Sequence, residues 1–515
     1  MKAKISPQKK VQKKWRMPSA FAILFGLIAT VAILTWIVPS GQYTLTEPTD
    51  GSDPTPIAGT YQQVDKVKDV EGVTTDVRQG PWEVLQAPVL GTAQAIDVVL
   101  FVLIIGGFLG VTMKTGALDA FMGRIVKNMK GKEKWLIPVL MSLFALGGTT
   151  YGMQEETIAF YALVVPVMLA AGYNGMVAAL VIILGAGVGV LGSTINPFST
   201  GIAAGFANIS IGDGMIERLI ILVFTLVAAI WFTMRYASKV KKGEYKEDSR
   251  LLPRSATART KEVPVLTGRR KVVMAIFGLA FLIMIISVIP WEYKFGITFF
   301  ADMASWIKNL PVIGVAFGGI VSLGDWWFNE LSMLFLVAAM IIGIVYYSKV
   351  PTRQEGEGFV DTFVNGARDL LGVALIIGLA RGISVVMTNG EIMSTFINYG
   401  EQLLQSVPSV LLPAFAFLVY LPLSFLIPST SGLATASMPI MAPLADFANI
   451  DRHLIVTAFA SSEGVINMLA PTVASVVGGL ALAKVSYGVY LRRTWKLMLV
   501  FVAISIAVVT ISAII

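Results

Sequence analysis

The chain has 515 residues, of which 55% are hydrophobic and 14% charged, with a mean hydropathy of +0.74, outside the range of water-soluble globular domains. Its formal net charge of +8 is concentrated in a basic leader and one loop, where anionic lipid and topology account for it without a nucleic-acid partner. The absence of cysteine excludes disulfides, thiol chemistry and thiolate metal sites. A single histidine, His453 beside Asp451 and Arg452, reads as a helix-end residue and not as part of a metal centre or triad.

Residues 1–17 carry seven Lys/Arg and precede an apolar run, 18 to 38, that is too long for a signal-peptide core and lacks a small-residue cleavage site. It is expected to be an uncleaved first helix with its leader in the cytoplasm. The segment 41 to 83 has eight acids and three basic residues and is expected outside. Segments 114 to 134, with six Lys/Arg against two acids, and 235 to 271, with twelve against four, are expected inside.

About nine full crossings satisfy these charges: 18–38, 93–114, 175–208, 216–236, 272–290, 331–348, 368–388, 452–486 and 495–515. An odd number sends the C-terminus outside. Two apolar stretches, 135–171 and 409–448, are interrupted near their centres and are expected to be re-entrant hairpins, because non-helical backbone at membrane depth must be buried in protein or line a polar cavity. The polar stretch 237–271 reads as a cytoplasmic linker between a first repeat, 18–236, and a second, 331–515, with a connector helix and outer loop over 272–330.

The halves resemble each other in sequence. LIIGGFLGVTMKTGALDAF (103–121) aligns with LIIGLARGISVVMTNGEIMSTF (375–396), each with a second glycine four residues after LIIG. Pro166 precedes Pro197 by 31 residues, and Pro443 precedes Pro471 by 28. Loop charge gives the aligned spans opposite senses, so the fold class expected is an all-α polytopic membrane protein built of inverted repeats.

Four interruptions fall at corresponding places, the sequence pointer to a transporter's solute site. In the first half they are GGTTYGMQEET (147–157), with Thr149, Thr150, Glu155 and Glu156, and GSTINPFST (192–200), with Ser193, Thr194, Asn196 and Ser199. In the second they are IPSTSGLAT (427–435), with Ser429, Thr430 and Ser431, and INMLAPT (466–472), with Asn467 and Thr472. Gly and Pro free the backbone, while Ser, Thr and Asn replace a solute's hydration. Freed amides attract carboxylate and freed carbonyls attract cations. Glu155 and Glu156, adjacent at a tip, are costly unless they face water, a cation or each other. Glu463 is a further carboxylate for a cationic group, or an internal partner for Arg381, which like Asp97 lies within a crossing. Trp82, Trp291, Trp306, Trp326 and Trp327 sit where outer interfacial anchors belong.

The segments GGTTYGMQEETIAFY, INPFSTGIA and PSTSGLATASMPIMAPLAD resemble the YfcC family of the C4-dicarboxylate anaerobic carrier group, and the likeness runs through nearly the whole chain. GGFLGVTMKTGALD, FALGGTTYGMQEET and LPLSFLIPSTSGLA are most similar to the arginine/ornithine antiporters of lactic acid bacteria. That resemblance implies the ion-transporter-superfamily fold, a scaffold domain used for dimerisation, a transport domain with an elevator-like movement, and a solute site at 149–156, 193–199, 429–435 and 467–472. It leaves arginine/ornithine exchange and ion-coupled carboxylate transport both open, with a coupling Na⁺ or H⁺ undecided. The tips carry carboxylates and hydroxyls but no Lys or Arg, which favours a basic amino acid over a dicarboxylate. Arg381 weighs the other way. A membrane enzyme or receptor would need a catalytic constellation or soluble domain that the chain does not display. The expectation is therefore a bacterial inner-membrane carrier of a small polar metabolite, not an enzyme, needing no cofactor.

Overall fold

A computed structural model describes residues 20–45, 56–70, 73–129, 132–154, 157–245, 248, 264–347, 358–404, 408–427, 429–471 and 473–515. The first half runs α1 (Ala20–Ile37), an outer segment with β1 (Ser40–Gln42), β2 (Gln62–Val64), β3 (Val67–Val70) and β4 (Val73–Asp76), then α2 (Pro81–Gln94), α3 (Ile96–Lys114), α4 (Ala117–Asn128), α5 (Glu133–Tyr151) and α6 (Thr157–Ala170). It continues through α7 (Gly175–Gly192), a π turn (Pro197–Gly201), α8 (Ile202–Phe206) and α9 (Met215–Lys241). The connector holds α10 (Gly268–Val288), α11 (Trp291–Phe295), α12 (Phe299–Lys308) and α13 (Ile313–Ala316). The second half comprises α14 (Phe328–Tyr347), α15 (Phe359–Asp369), α16 (Leu371–Asn389), α17 (Met393–Leu404), α18 (Leu412–Leu426), α19 (Thr430–Phe447), α20 (Arg452–Leu469), α21 (Ala474–Leu482) and α22 (Tyr487–Ser512).

Among the described residues seven helical stretches are long and apolar enough to span a bilayer: α3, α7 through α8, α9, α10, α14, α16 and α22. Each matches an expected crossing. The other two expected crossings are the 18-residue α1 and the interrupted pair α20–α21. The helices differ in what surrounds them. Every residue of α7 is buried, as a helix apolar on all sides demands, and α20 is buried along most of its length. By contrast α9 exposes Leu219, Val223, Phe224 and Val227, the surface of a helix that meets lipid tails.

The expected all-α class needs one correction, for in the outer segment β1 pairs with β2 and β3 with β4, both antiparallel. These strands of three or four residues are too short to show a period in sequence. The end of β1 is tied to α17 and the turn before it, where Gln42 Nε2 donates to Glu391 Oε1 at 3.0 Å and Tyr43 Oη to Glu401 Oε2 at 2.6 Å. Helix reaches into both ends of the stretch 237–271, since α9 runs to Lys241 and α10 begins at Gly268. Within it Asp248 accepts hydrogen bonds from Tyr236 Oη at 2.8 Å and from Arg493 Nε at 2.8 Å, fastening the end of the first half to α22.

The nine helices α1–α9 and the nine helices α14–α22 correspond one to one. The pairs α5–α7, α6–α7 and α7–α9 recur as α18–α20, α19–α20 and α20–α22. Between halves the packing is reciprocal: α2 rests on α16 and α15 on α3, α1 on α16 and α14 on α3, α8 on α19 and α21 on α6. Reciprocity of this kind is what a two-fold relation produces. Its closest expression is in glycine. A Cβ at Gly91 of α2 would overlap the backbone of Gly378 and Gly382, and a Cβ at Gly366 of α15 would overlap the backbone of Gly106 and Gly110. Those four receiving glycines are the ones aligned in sequence. Backbone can approach backbone only where side chains are missing, as in small-xxx-small packing.

Gly91→Leu and Gly366→Leu should each destabilise the protein by at least about 1–3 kcal/mol, the usual range for overpacking, whereas Gly278→Leu on α10, with nothing within 4 Å of its Cβ position, should be neutral. Thermal unfolding of the three variants in detergent checks this, and equal melting temperatures would contradict it.

Candidate solute site

α7 and α20 cross where each is about to break. A Cβ at Gly464 would strike the backbone of Leu191, and one at Gly187 would strike the Met468 side chain. α7 starts with Asn174 capping Val177 N at 3.1 Å and ends when Ser193 turns into the left-handed region, φ 41°. Its chain then passes through Thr194 and Ile195 before Asn196 caps the π turn by accepting from Phe198 N at 3.0 Å. The freed backbone is met by the end of α5. Thr194 N donates to Thr149 Oγ1 at 2.9 Å, the two hydroxyls lie 2.9 Å apart, and Ile195 N donates to Thr149 O at 3.3 Å. Thr200 Oγ1 closes the turn by donating to Ser193 O at 2.6 Å. Ser199 Oγ is buried with no hydrogen-bond partner.

α20 breaks after Leu469. Its last turns carry Glu463, 3% exposed, whose Oε1 accepts from Thr430 Oγ1 and from Asn467 Nδ2, the latter at 2.7 Å. Glu463 Oε2 is buried with no hydrogen-bond partner, as are the hydroxyls of Ser461, Ser462 and Thr457 on the same helix. Ser429 caps α19 by accepting from Gly432 N at 3.2 Å. The first tip reaches this second group directly, since Gln154 Nε2 donates to Asn467 O at 3.2 Å. One polar centre thus draws on α5, α7, α19 and α20.

Carbonyls at each break are met from the fourth residue of the long helix that lies beyond the short one, α9 beyond α8 and α22 beyond α21. Arg218 of α9, fully buried, donates to Thr194 O from Nε at 3.3 Å and to Ile211 O from Nη2 at 2.6 Å. Tyr490 of α22, also fully buried, donates to Met468 O at 3.0 Å, while Tyr487 donates to Leu469 O at 2.5 Å. The fourth residues of α9 and α22 do the same work with different chemistry.

Most sequence-expected site residues gather here: Thr149, Ser193, Thr194, Asn196 and Ser199 in one cluster, Ser429, Thr430, Ser431, Asn467 and Glu463 in the other. Thr150 turns away to donate to Leu146 O of its own helix at 2.6 Å. Glu155, Glu156 and Thr472 lie outside the described residues. The suggested Glu463–Arg381 pair is not formed. Arg381 instead stacks its guanidinium 5.2 Å from the Phe206 ring, on the wall of a separate cavity. Gln154, Arg218 and Tyr490 were not singled out in sequence. Gln154 stood within the first tip motif, whereas Arg218 and Tyr490 carry no signal until the broken helices are placed beside them.

Helices that break in the protein interior, duplicated and crossing at a polar centre, define a multi-pass membrane transporter. The family model described as the C4-dicarboxylate anaerobic carrier matches residues 17–514. The chain belongs to that family and resembles its YfcC members. An uncharacterized protein of Haemophilus influenzae is 32% identical over 511 residues, 90% of each chain. A protein of Escherichia coli named "Putative basic amino acid antiporter YfcC" is 28% identical over 538 residues, 98% of this chain and 97% of that one. The fold is shared with MtrF of Neisseria gonorrhoeae, described as illuminating a class of antimetabolite efflux pumps, at TM-score 0.63 and 14% identity over 97% of this chain and 96% of that one. It is shared also with the YdaH transporter of Alcanivorax borkumensis, at TM-score 0.61 and 13% identity over 96% and 98%.

Tyr490→Phe should cost about 1–3 kcal/mol, because it orphans a buried carbonyl, while Tyr399→Phe at a 45% exposed position should cost nothing measurable. Thermal unfolding in detergent separates the two outcomes, and a neutral Tyr490→Phe would contradict the capping role.

Proposed function

We propose that the chain exchanges basic amino acids, arginine against ornithine, by alternating access. Glu463 carries the reading: a carboxylate buried at the meeting of a helix break and a tip, with one oxygen spoken for by Thr430 and Asn467 and the other unpartnered. A buried carboxylate is costly unless a cation or a proton answers it. A guanidinium or ammonium group is such a cation, and hydroxyls with freed amides suit the carboxylate at a solute's other end. Glu155 and Glu156, which follow Gln154 in the sequence, are further acids of the same motif. The name borne by the E. coli relative points the same way.

In this reading α5–α6 and α18–α19 are re-entrant hairpins entering from opposite faces, and the two-fold axis lies in the membrane plane. Loop charge supports that orientation, with the N-terminus inside, the C-terminus outside and the chain in the inner membrane. Helices α5–α9 and α18–α22 form a transport domain that moves against a scaffold of α1–α4 and α14–α17, through which two copies dimerise.

The competing reading is an ion-coupled C4-dicarboxylate carrier, favoured by the family's description and by Arg218 beside the first break. Labelled arginine and succinate uptake into proteoliposomes, preloaded with ornithine or empty, decides between them. Arginine entry should require internal ornithine, and Glu463→Gln should lower it by at least about tenfold, as for the loss of a charge-assisted contact, with membrane abundance unchanged. Succinate entry driven by a Na⁺ or H⁺ gradient, without arginine exchange, would sink the proposal.

A further inference from the structure

A second polar concavity lies away from the Glu463 centre. It encloses about 360 Å³, within the range of small-ligand sites. Its walls come from both bodies of the protein: Gln94, Asp97 and Arg381 from α2, α3 and α16, and Phe206, Met438 and Pro439 from α8 and α19. Met438 is eight residues beyond Thr430 on α19, about 12 Å along a helix. The outer segment contributes Pro56, so the cavity stands on the side expected to be external.

Its charges are of opposite sign and joined by no hydrogen bond. Arg381 Nε is buried with no hydrogen-bond partner, and the guanidinium lies over Phe206 and feels the Asp97 charge across the cavity. Asp97 lines the same cavity without forming an ion pair to Arg381 within 4.0 Å. Arg452, the other cation on this wall, is already engaged by Asp446 at 2.6 Å and by Ala207 O at 2.8 Å. A guanidinium fork and a carboxylate facing one small space match a carboxylate and an ammonium on adjacent atoms.

We propose that this cavity is an entry subsite for the α-amino-acid headgroup, in which Arg381 takes the α-carboxylate and Asp97 the α-ammonium before the solute moves inward to Glu463. The inference rests on the reading of the chain as an amino acid exchanger. Because its walls belong to different bodies, the subsite exists only while α8 and α19 stand at this height against α3 and α16. It therefore discriminates on one face of the membrane, and it reads the headgroup and not the side chain.

The test is arginine/ornithine exchange in proteoliposomes with Arg381→Gln, Arg381→Lys and Asp97→Asn, with agmatine, which lacks the carboxylate, as competitor. Arg381→Gln should raise the external KM for arginine about tenfold, the value of one charge-assisted pair, and leave kcat and the KM for internal ornithine near wild type. Its preference for arginine over agmatine should shrink, and Arg381→Lys should recover part of it. Asp97→Asn should raise the external KM without altering the agmatine ratio. Unchanged external KM and agmatine ratio in all variants would overturn the subsite while leaving the exchanger intact. A fall in kcat with an unaltered ratio would overturn it in favour of a structural role. Failure of the wild-type protein to exchange arginine at all would remove the functional reading, and the subsite with it.

Discussion

A helix that stops inside hydrocarbon must find partners for its last carbonyls, and the rest of this structure follows from how α7 and α20 do so. Water cannot reach these groups at low cost, and each unsatisfied one costs several kcal/mol. The protein answers with side chains delivered from the second helix beyond each break: Arg218 of α9 for the chain leaving α7, Tyr490 and Tyr487 of α22 for α20. It answers also with the ends of the preceding helical pairs, Thr149 at the first break and Thr430 near the second. Once those debts are settled, what remains unpartnered stands out. Among the described residues, Glu463 Oε2, Arg218 Nη1 and the hydroxyls of Ser199, Thr457, Ser461 and Ser462 are the buried groups still to be satisfied around the crossing.

Reciprocal packing explains the frame, and unlike polar residues explain the chemistry. Gly91 against Gly378 and Gly382, and Gly366 against Gly106 and Gly110, hold each half to the other through equivalent contacts. The polar residues placed by that frame are not equivalent. The first break is lined by hydroxyls and an amide backed by a buried arginine, and the second by a carboxylate backed by tyrosines. A symmetric fold thereby presents two unlike poles to a solute, which is what an asymmetric, charged molecule requires.

Much of this was legible in the sequence because membranes narrow the options. Gly, Pro and Ser/Thr/Asn clusters inside apolar runs coincide with the ends of α7 and α20 and with the joins of α5 to α6 and α18 to α19, and the repeated LIIG with its second glycine marks the residues where the halves touch. Other features were hidden for definable reasons. α2 and α15 join α3 and α16 through the single residues Ala95 and Leu370, so no turn signal separates them. Arg218, in ERLIIL, looks like the wet end of a crossing until the chain brings Thr194 and Ile211 over it. Glu463 and Arg381 are both intramembrane charges of opposite sign, and sequence alone offers their mutual pairing. Packing instead gives Glu463 to Thr430 and Asn467, and Arg381 to Phe206.

The central claim is that two equivalent units, related by reciprocal packing, enter the bilayer in opposite senses and deliver their broken backbone to one buried centre. The chain has no cysteine, so single labels can be placed without background. Lys132→Cys, before α5, and Ser409→Cys, before α18, occupy corresponding exposed positions. In sealed, oriented membrane vesicles a membrane-impermeant maleimide should label them from opposite faces. Labelling of both from the same face would contradict the account.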